Sequence, residues 1–325
     1  MSTSPNLITD ALKAAGEPTR LRILALLRKG DLAVGELVQI LEQSQPRLSH
    51  HLKTLTNAGL VERLPEGSWV FYRAARKGWV NRLLEAIFTD LDISKEEFEK
   101  DRLALNAVRQ DRTASANTYF SNIAEKWDQI RAQHYPTADI EGALMEAAGH
   151  GPFQRVIDLG TGTGKMLTLF STFASEVEGL DQSHQMLTVA RANLTKSGTN
   201  NASVRQGDVT ATPFETNCAD LVIIHQVLHF VESPETVLAE ASRILRPGGK
   251  LLVVDFAPHK LDFLRGEHGH RRLGIRHKDM LGWAEQTGLA LQEPHRFDPP
   301  KTLEQGLAVY IWTALQPANQ QEAAA

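Results

Sequence analysis

Apolar residues in the first sixty positions return at helical spacing. The segments "LITDALKAAG", "PTRLRILALLRKG" and "AVGELVQILEQ" each predict a short amphipathic helix. A fourth segment, "SQPRLSHHLKTLTNAG", places Leu48, Leu52 and Leu55 on one face and draws His51 towards that face. Two β-prone runs around "PEGS" follow and predict a hairpin. Helices followed by such a hairpin indicate a winged helix-turn-helix domain.

The face of the fourth helix that points away from these leucines has no acid. Its Arg, His, Lys and Thr side chains can contact phosphates and base edges, although a merely solvated helix face is the plainer interpretation. Basic residues near the hairpin favour the DNA interpretation, because they extend the positive surface. The predicted DNA contacts are Gln45, Arg47, Ser49, His50, Lys53 and Thr54 on the helix, and Gly67 and Arg73 in the hairpin.

The stretch from Glu17 to Ala74 resembles the ArsR/SmtB family of winged-helix repressors. The resemblance is carried by "PTRLRILALL", "GELVQIL", "SQPRLSHHLKTLTNAGLVERL" and "GSWVFYRA". It implies a homodimer that binds an inverted repeat in double-stranded operator DNA, with the fourth helix in the major groove and the hairpin beside it. Metal-sensing members carry a cysteine pair where Val38 and Gln39 stand here, and Cys218 is the only cysteine of the chain. We therefore predict no metal site.

Charge differs between the two ends of the chain. Residues 1–90 hold 12 Lys/Arg and 9 Asp/Glu, whereas the remainder holds 23 and 30. The imbalance indicates separate partners for the two parts. No proline or glycine interrupts residues 79–135, and "SKEEFEKDRLALNAVRQDR" predicts an exposed helix that bridges domains or packs against a partner subunit.

A second pattern begins at "RVIDLGTGTGKM", where a β-type run leads through three alternating glycines into a helix. Strand, glycine turn and helix predict a Rossmann-like α/β sheet with a ligand at the carboxyl ends of its strands. A dinucleotide fingerprint would need glycine where Lys165 stands, and a Walker loop would need Ser or Thr in place of Met166. Both alternatives fail at defining positions.

What remains is the D-x-G-x-G-x-G form of class I S-adenosylmethionine-dependent methyltransferases. The stretch from Tyr119 to Gln316 resembles that family, and "YFSNIAEKWD" and "VLHFVESPETVLAEASRILRPGG" resemble ubiquinone/menaquinone C-methyltransferases in particular. The resemblance implies a seven-stranded sheet whose late strands are "LALQEPHRF" and "LAVYIWTALQ". It also assigns the first acid and the glycines to the methionine end of S-adenosylmethionine.

Two later acids complete this predicted cofactor site. Asp181 ends the next strand and is suited to the ribose hydroxyls, and Asp208 follows a third strand and is suited to the adenine amino group. The predicted cofactor-binding residues are Asp158, Gly160, Gly162, Gly164, Asp181, Gln182, Asp208, Val209 and His225.

Histidines follow the fourth and fifth strands, where a methyl acceptor would enter. His225 and His229 are the predicted catalytic residues, since an imidazole can act as a general base if the acceptor must lose a proton. Histidines that only shape the pocket are an equally good interpretation. For His268 and His270 an anion-binding or gating loop is favoured over a metal site, because no nearby acid or thiol completes the ligands.

These patterns predict an α/β multidomain protein. We expect a winged helix-turn-helix domain over residues 1–92, a helical connector over 93–118, a methyltransferase-like domain over 119–317 and a disordered tail over 318–325. The expected function is a DNA-binding regulator of the ArsR type with an S-adenosylmethionine-binding methyltransferase domain, which acts as a methyltransferase for an unknown small molecule, as a cofactor-responsive repressor, or as both. The alternative is an inactive sensor of S-adenosylmethionine or S-adenosylhomocysteine. No apolar run approaches the roughly 20 residues of a membrane span, and no export signal is evident, so we expect a cytoplasmic protein.

Overall fold

The computed structural model of the 325-residue chain describes residues 4–66, 69–75, 78–111, 137–149, 151–264, 270–299 and 306–318. The chain divides into two compact units, Met1–Ser115 and Ala116–Ala325. The predicted tail, apart from its first residue, lies outside the described residues, as do residues 112–118 of the predicted connector. The predicted domain boundaries themselves stay predictions.

The first unit contains six helices and a small sheet in its described residues. Its elements in chain order are α1 (Pro5–Ala15), α2 (Pro18–Leu27), β1 (Leu32–Ala33), α3 (Val34–Leu41), α4 (Gln45–Asn57), β2 (Val61–Glu66), β3 (Trp69–Ala74), α5 (Gly78–Asp90) and α6 (96–111). Strand β3 lies between β1 and β2 and is antiparallel to both. The predicted hairpin is therefore present, with β1 as a third strand.

Helices α3 and α4 form the helix-turn-helix. The break between them comes at Glu42, whose φ of 52° stops α3 in the left-handed region. Leu48, Leu52 and Leu55 are completely buried and His51 is 8% exposed, which confirms the inward face predicted from the sequence. The burial of that face fixes which residues of α4 point outward.

Helix α6 belongs to the first unit and packs on its core. Leu105 and Val108 are buried in the same core as α2 and α4, and Asp101 accepts two hydrogen bonds from Arg22 at 2.7 and 2.6 Å. One face of this charged helix is thus anchored within its own unit, which its weak apolar spacing did not indicate.

The second unit is a single mixed sheet flanked by helices. Its elements are α7 (Thr137–Ala148), β4 (Phe153–Leu159), α8 (Lys165–Phe170), β5 (Ala174–Asp181), α9 (His184–Lys196), β6 (Ala202–Gln206), β7 (Ala219–His225), α10 (Pro234–Ile244), β8 (Leu245–Phe256), α11 (His277–Gln286), β9 (Ala290–Leu291), β10 (His295–Phe297) and β11 (Val309–Leu315). The strand order is β10-β11-β8-β7-β4-β5-β6, with β9 also paired to β11. All pairs are parallel except those of β11.

This arrangement confirms the Rossmann-like sheet, with one difference in strand count. Within the described residues the sheet has eight strands instead of seven, because the predicted strand "LALQEPHRF" is divided into β9 and β10. Pro294 lies in the interruption and has no N–H to donate to the neighbouring strand.

Both faces of the sheet are covered by helices. Side chains of α10 and α11 pack on one face, and side chains of α7, α8 and α9 pack on the other. With both faces buried, the carboxyl ends of the parallel strands are where a ligand can enter. No helix among the described residues is long and apolar enough to cross a bilayer.

Candidate functional site

The outward face of α4 is cationic and carries no acid. Arg47, His50 and Lys53 are exposed, and none of them makes an ion pair with a carboxylate in the described part of the chain. Gln45 and Ser49 are also exposed, and Thr54 is half-buried. The structure therefore brings all six predicted contacts of the helix onto accessible positions.

The predicted hairpin contacts differ in outcome. Gly67 lies outside the described residues. Arg73 is only 2% exposed, and its guanidinium makes two 2.9 Å hydrogen bonds to Asp31, which is itself buried. Because two of its nitrogens are bonded to a buried carboxylate, the guanidinium of Arg73 cannot reach a phosphate. Arg73 is therefore a structural residue and not a DNA contact.

The glycine loop opens at the carboxyl end of β4. Gly160, Gly162 and Gly164 all have positive φ, between 52° and 79°. A Cβ on Gly160 would lie 2.3 Å from a methyl carbon of Val227, so that position must be glycine for the chain to pass. A Cβ on Gly162 would meet nothing within 4 Å. The middle of the loop therefore faces open space.

Asp181 holds this loop in place. Its carboxylate accepts hydrogen bonds from the backbone N–H of Gly162 at 2.8 Å and of Ser183 at 2.9 Å. Burial raises the pKa of Asp181, and the N–H groups of Ser183 and Gly162 oppose that rise. The acid predicted for the ribose thus lies beside the glycine loop and shapes it.

Asp158 is a buried carboxylate near the carboxyl end of β4. It is 1% exposed, and among the described residues neither of its oxygens has a hydrogen-bond partner. Burial raises its pKa from 3.8 to about 7, with the nearby Asp181 carboxylate adding to the rise. The Thr161 hydroxyl acts in the opposite direction, although it is not within hydrogen-bond geometry of any described group. A buried acid without partners is costly unless a cation or donor joins it.

The remaining predicted cofactor residues follow the neighbouring strands. Asp208, after β6, is exposed and accepts hydrogen bonds from the backbone N–H and hydroxyl of Thr210 at 2.8 and 2.7 Å. These hydrogen bonds lower the pKa of Asp208, so its carboxylate is ionised over a wide range. Val209 is buried, and the backbone carbonyl of Gln182 accepts a hydrogen bond from the side chain of Gln206. All three positions follow the carboxyl ends of β5 and β6.

The two predicted catalytic histidines have different environments. His225 ends β7 and is half-buried. His229 is 2% exposed, and its Nδ1 lies 2.7 Å from Oδ1 of Asp255, which is completely buried. Asp255 also accepts the backbone N–H groups of His229 and Phe256, at 3.2 and 2.7 Å. An ionised carboxylate only accepts, so Nδ1 of His229 carries the proton of this hydrogen bond.

Aromatic rings surround that pair. The ring of His229 lies 4.3 Å from that of His270 and 4.0 Å from that of Phe230, centroid to centroid. His270 also stacks on Phe256, with 20° between the planes. His268 lies outside the described residues. The His270 ring therefore belongs to a packed cluster at the end of β7 and β8, and a role of the loop before it stays a prediction.

Two residues of this region were missed in the sequence. Asp255 comes near the end of the apolar run "LLVVDF" in β8, so an acid at the end of a buried strand was a usable signal. Gln226 follows β7 with a φ of 59°, and both polar atoms of its buried amide lack a hydrogen-bond partner among the described residues. Left-handed backbone at a non-glycine residue beside unsatisfied polar atoms is typical of a ligand site. Nothing in the sequence marks Gln226.

Two family profiles match the chain. The profile described as "Bacterial regulatory protein, arsR family" matches residues 17–63, and the profile described as "Methyltransferase domain" matches residues 157–253. The chain joins an arsR-family helix-turn-helix to a methyltransferase domain. The first match contains α2 to α4, and the second runs from β4 into β8 and includes Asp158, the glycine loop and Asp181.

Individual relatives agree with the second match. The chain is 35% identical over 125 residues to the ubiquinone/menaquinone biosynthesis C-methyltransferase UbiE of Shewanella piezotolerans, and 34% identical over 125 residues to that of Shewanella pealeana. Each alignment covers 37% of this chain and 50% of the relative, so the chain spans about half the length of these curated relatives. Among solved structures, a chain from the complex of the Haloferax volcanii Trm112 methyltransferase activator with a methyltransferase has a TM-score of 0.50 at 20% identity, covering 62% of this chain and 97% of that one. This likeness shows the fold.

Proposed function

We propose that the chain is a DNA-binding regulator whose second unit binds S-adenosylmethionine and transfers its methyl group to a small molecule. The observation that carries the proposal is the unpartnered carboxylate of Asp158 beneath a glycine loop with open space at Gly162. A fully buried acid with no partner fits a site that a cationic ligand completes.

The residues of the loop fit this cofactor. Asp158 is suited to the ammonium group of the methionine end, Asp181 to the ribose hydroxyls and Asp208 to the adenine amino group. Gly162 lets the backbone come close to the ligand, because a side chain at this position would occupy the open space. When bound, S-adenosylmethionine supplies a methyl group on a positively charged sulfur. The protein then has to hold an acceptor in line with it.

The relatives guide the choice of acceptor. They are named as ubiquinone/menaquinone C-methyltransferases, so we propose a quinol-like ring whose carbon attacks the methyl group. Such an acceptor must lose a proton. Nε2 of His229 can accept it, since Asp255 fixes the proton of the ring on Nδ1 and stabilises the imidazolium that forms.

One observation favours the alternative function, an inactive sensor of S-adenosylmethionine or S-adenosylhomocysteine. His229 is 2% exposed and lies under Phe230 and His270, which limits the access of an acceptor. A methyl-transfer assay separates the two functions. Protein, methyl-labelled S-adenosylmethionine and a naphthoquinol should yield labelled naphthoquinol if the unit is an enzyme, and none if it is a sensor.

The DNA-binding part of the proposal rests on α4. None of its exposed cations makes an ion pair in the described part of the unit, so they match a polyanionic backbone, and Arg47 can donate two hydrogen bonds to a guanine. We propose that two copies of the chain bind an inverted repeat, each with α4 in the major groove.

Two variants test both parts in one design. Titration calorimetry with S-adenosylmethionine and S-adenosylhomocysteine reports the cofactor site, and a gel shift on the chain's own promoter at fixed salt reports DNA binding. Asp158→Asn should lose cofactor affinity and keep operator affinity without ligand, whereas Arg47→Ala should show the reverse. If Asp158→Asn binds the cofactor like the wild type, the assignment of the pocket is wrong.

Coupling between the units is part of the proposal and has its own test. A ligand shifts DNA binding only if it binds the DNA-competent and DNA-incompetent states with different affinity. Operator titrations of the wild type with and without each ligand should therefore differ in midpoint. Identical midpoints would refute the coupling.

A further inference from the structure

A second candidate ligand site lies within the first unit. In the described part of that unit, a cleft of 420 Å³ opens between α2, α5 and α6, and the end of β3 forms part of its wall. No lining residue belongs to α4. The volume falls within the range of roughly 300 to 1,000 Å³ that is typical of small-molecule sites.

The cleft carries more positive than negative charge. Four of its lining residues are cationic and two are acidic. Arg22 is saturated by Asp101, which accepts from both of its arms. Arg28 makes a single hydrogen bond of 2.8 Å to Glu85, an acid that is itself exposed. A further anion can therefore approach Arg28 without breaking a buried ion pair.

Lys29 is the cation without a partner. No hydrogen bond or ion pair of its ammonium group occurs among the described residues, and partial burial lowers its pKa. The positive charges of Arg109 and Arg102 lower that pKa further, and only Glu99 opposes them. Arg102 is itself paired with Glu99, so an anion bound here would chiefly offset the charge of Lys29 and its repulsion from Arg109.

Part of the lining of the cleft is apolar. Phe88 lies under the guanidinium of Arg28, 4.6 Å from its carbon to the ring centroid, and Leu26, Ile93 and Phe98 line the same space. Ile93 is 54% exposed, so the cleft presents apolar surface to the solvent. A bare inorganic anion would leave this surface in contact with water.

We propose that the cleft binds a small amphipathic anion, with a carboxylate or phosphate head beside Lys29 and Arg28 and an apolar body against Phe88 and Ile93. The site is built entirely from the DNA-binding unit and uses none of the residues proposed for S-adenosylmethionine. It gives the chain a ligand beyond the proposed function, and its existence does not depend on methyl transfer.

Titration calorimetry on the full chain tests this proposal with four probes. Octanoate and monooctyl phosphate supply both the head and the apolar body, octanamide lacks the charge, and inorganic phosphate lacks the body. We expect saturable binding of one or both amphipathic anions, and binding of octanamide and inorganic phosphate that is weaker by about tenfold or more. Comparison of octanoate with monooctyl phosphate identifies which head group the cleft takes.

Three variants locate the binding. Lys29→Glu should weaken the amphipathic anion by at least about tenfold, because attraction becomes repulsion. Lys278→Glu makes the same charge change at an exposed lysine of the second unit and should leave binding unchanged. Ile93→Ser removes apolar surface at an exposed position, so the fold should tolerate it while the anion binds several-fold more weakly.

Three outcomes would overturn the proposal. Equal binding of octanamide and octanoate would show that the charge has no role. Equal affinities of Lys29→Glu and Lys278→Glu for the amphipathic anion would show that the anion binds elsewhere. Absence of saturable binding by both amphipathic anions at millimolar concentration would show that the cleft is closed in solution, by a second copy or by another part of the chain.

Discussion

Replacement of Asp158 by Asn should change how the stability of the second unit depends on pH. Burial raises the pKa of this carboxyl from 3.8 to about 7 in the folded chain. Well below pH 3.8 the acid is protonated in both states, so its burial has no ionisation cost. As pH rises, the unfolded state ionises first, so folded stability is lost progressively until the folded pKa near 7 is passed.

The size of this loss follows from the shift in pKa. A shift of one unit corresponds to about 1.4 kcal/mol, so the buried acid costs roughly 1.5 to 2 kcal/mol at pH 5 and roughly 4 kcal/mol at pH 8. The wild type should therefore lose about 2 to 3 kcal/mol between these two pH values that Asp158→Asn does not lose. The amide of the variant is buried without a partner too, but that cost is the same at both pH values.

Urea unfolding at pH 5 and pH 8 measures this difference. Because Trp69 and Trp79 are in the first unit, replacement of both by Phe leaves tryptophans only in the second unit and makes fluorescence report on that unit. The same background without Asp158→Asn is the control. If both proteins change stability equally between the two pH values, then Asp158 is not a buried ionisable acid and the central feature of the proposed cofactor site is wrong.

Four further substitutions have predicted effects. Gly160→Ala should abolish cofactor binding measured by calorimetry and also lower the melting temperature, because its Cβ would overlap a neighbouring side chain at 2.3 Å. Arg73→Ala should destabilise the first unit by about 3 to 5 kcal/mol in urea, since it leaves a buried carboxylate unpaired, whereas Arg47→Ala should leave stability unchanged and weaken operator binding by roughly 1 to 3 kcal/mol. Asp255→Asn should release the Nδ1 proton of His229, which nitrogen NMR spectra would show as a changed tautomer. If the unit is active, the pH profile of methyl transfer should change as well. An unaltered tautomer would argue against the His229–Asp255 pair.

Local patterns in the sequence were enough to predict much of the fold. The inward face of α4 follows from the spacing of three leucines, and the strand-turn-helix around the glycine loop follows from "RVIDLGTGTGKM". These features depend on neighbours within a few positions. Their prediction therefore needed no knowledge of distant contacts.

Features that depend on distant partners were not predictable in this way. In the sequence, Arg73 cannot be told apart from an exposed arginine of the hairpin. Only its pairing with Asp31, 42 positions away, shows that it is buried. The anchoring of α6 depends on Arg22 and Asp101, 79 positions apart. In both cases a charged residue is read from the sequence as exposed, since charged residues are rarely buried unless they are paired.

Each unit carries charged side chains that no described residue of the chain balances, and this bears on function. Charges in a folded chain are commonly balanced by partners of the same chain, as Arg73 is by Asp31. Asp158 and the cations of α4 are not balanced in this way among the described residues, and they have opposite sign and opposite exposure. A buried negative charge is suited to one enclosed cation, whereas a row of exposed positive charges is suited to an extended polyanion. The two sites would therefore not compete for one ligand, and any communication between them must pass through the conformation of the chain.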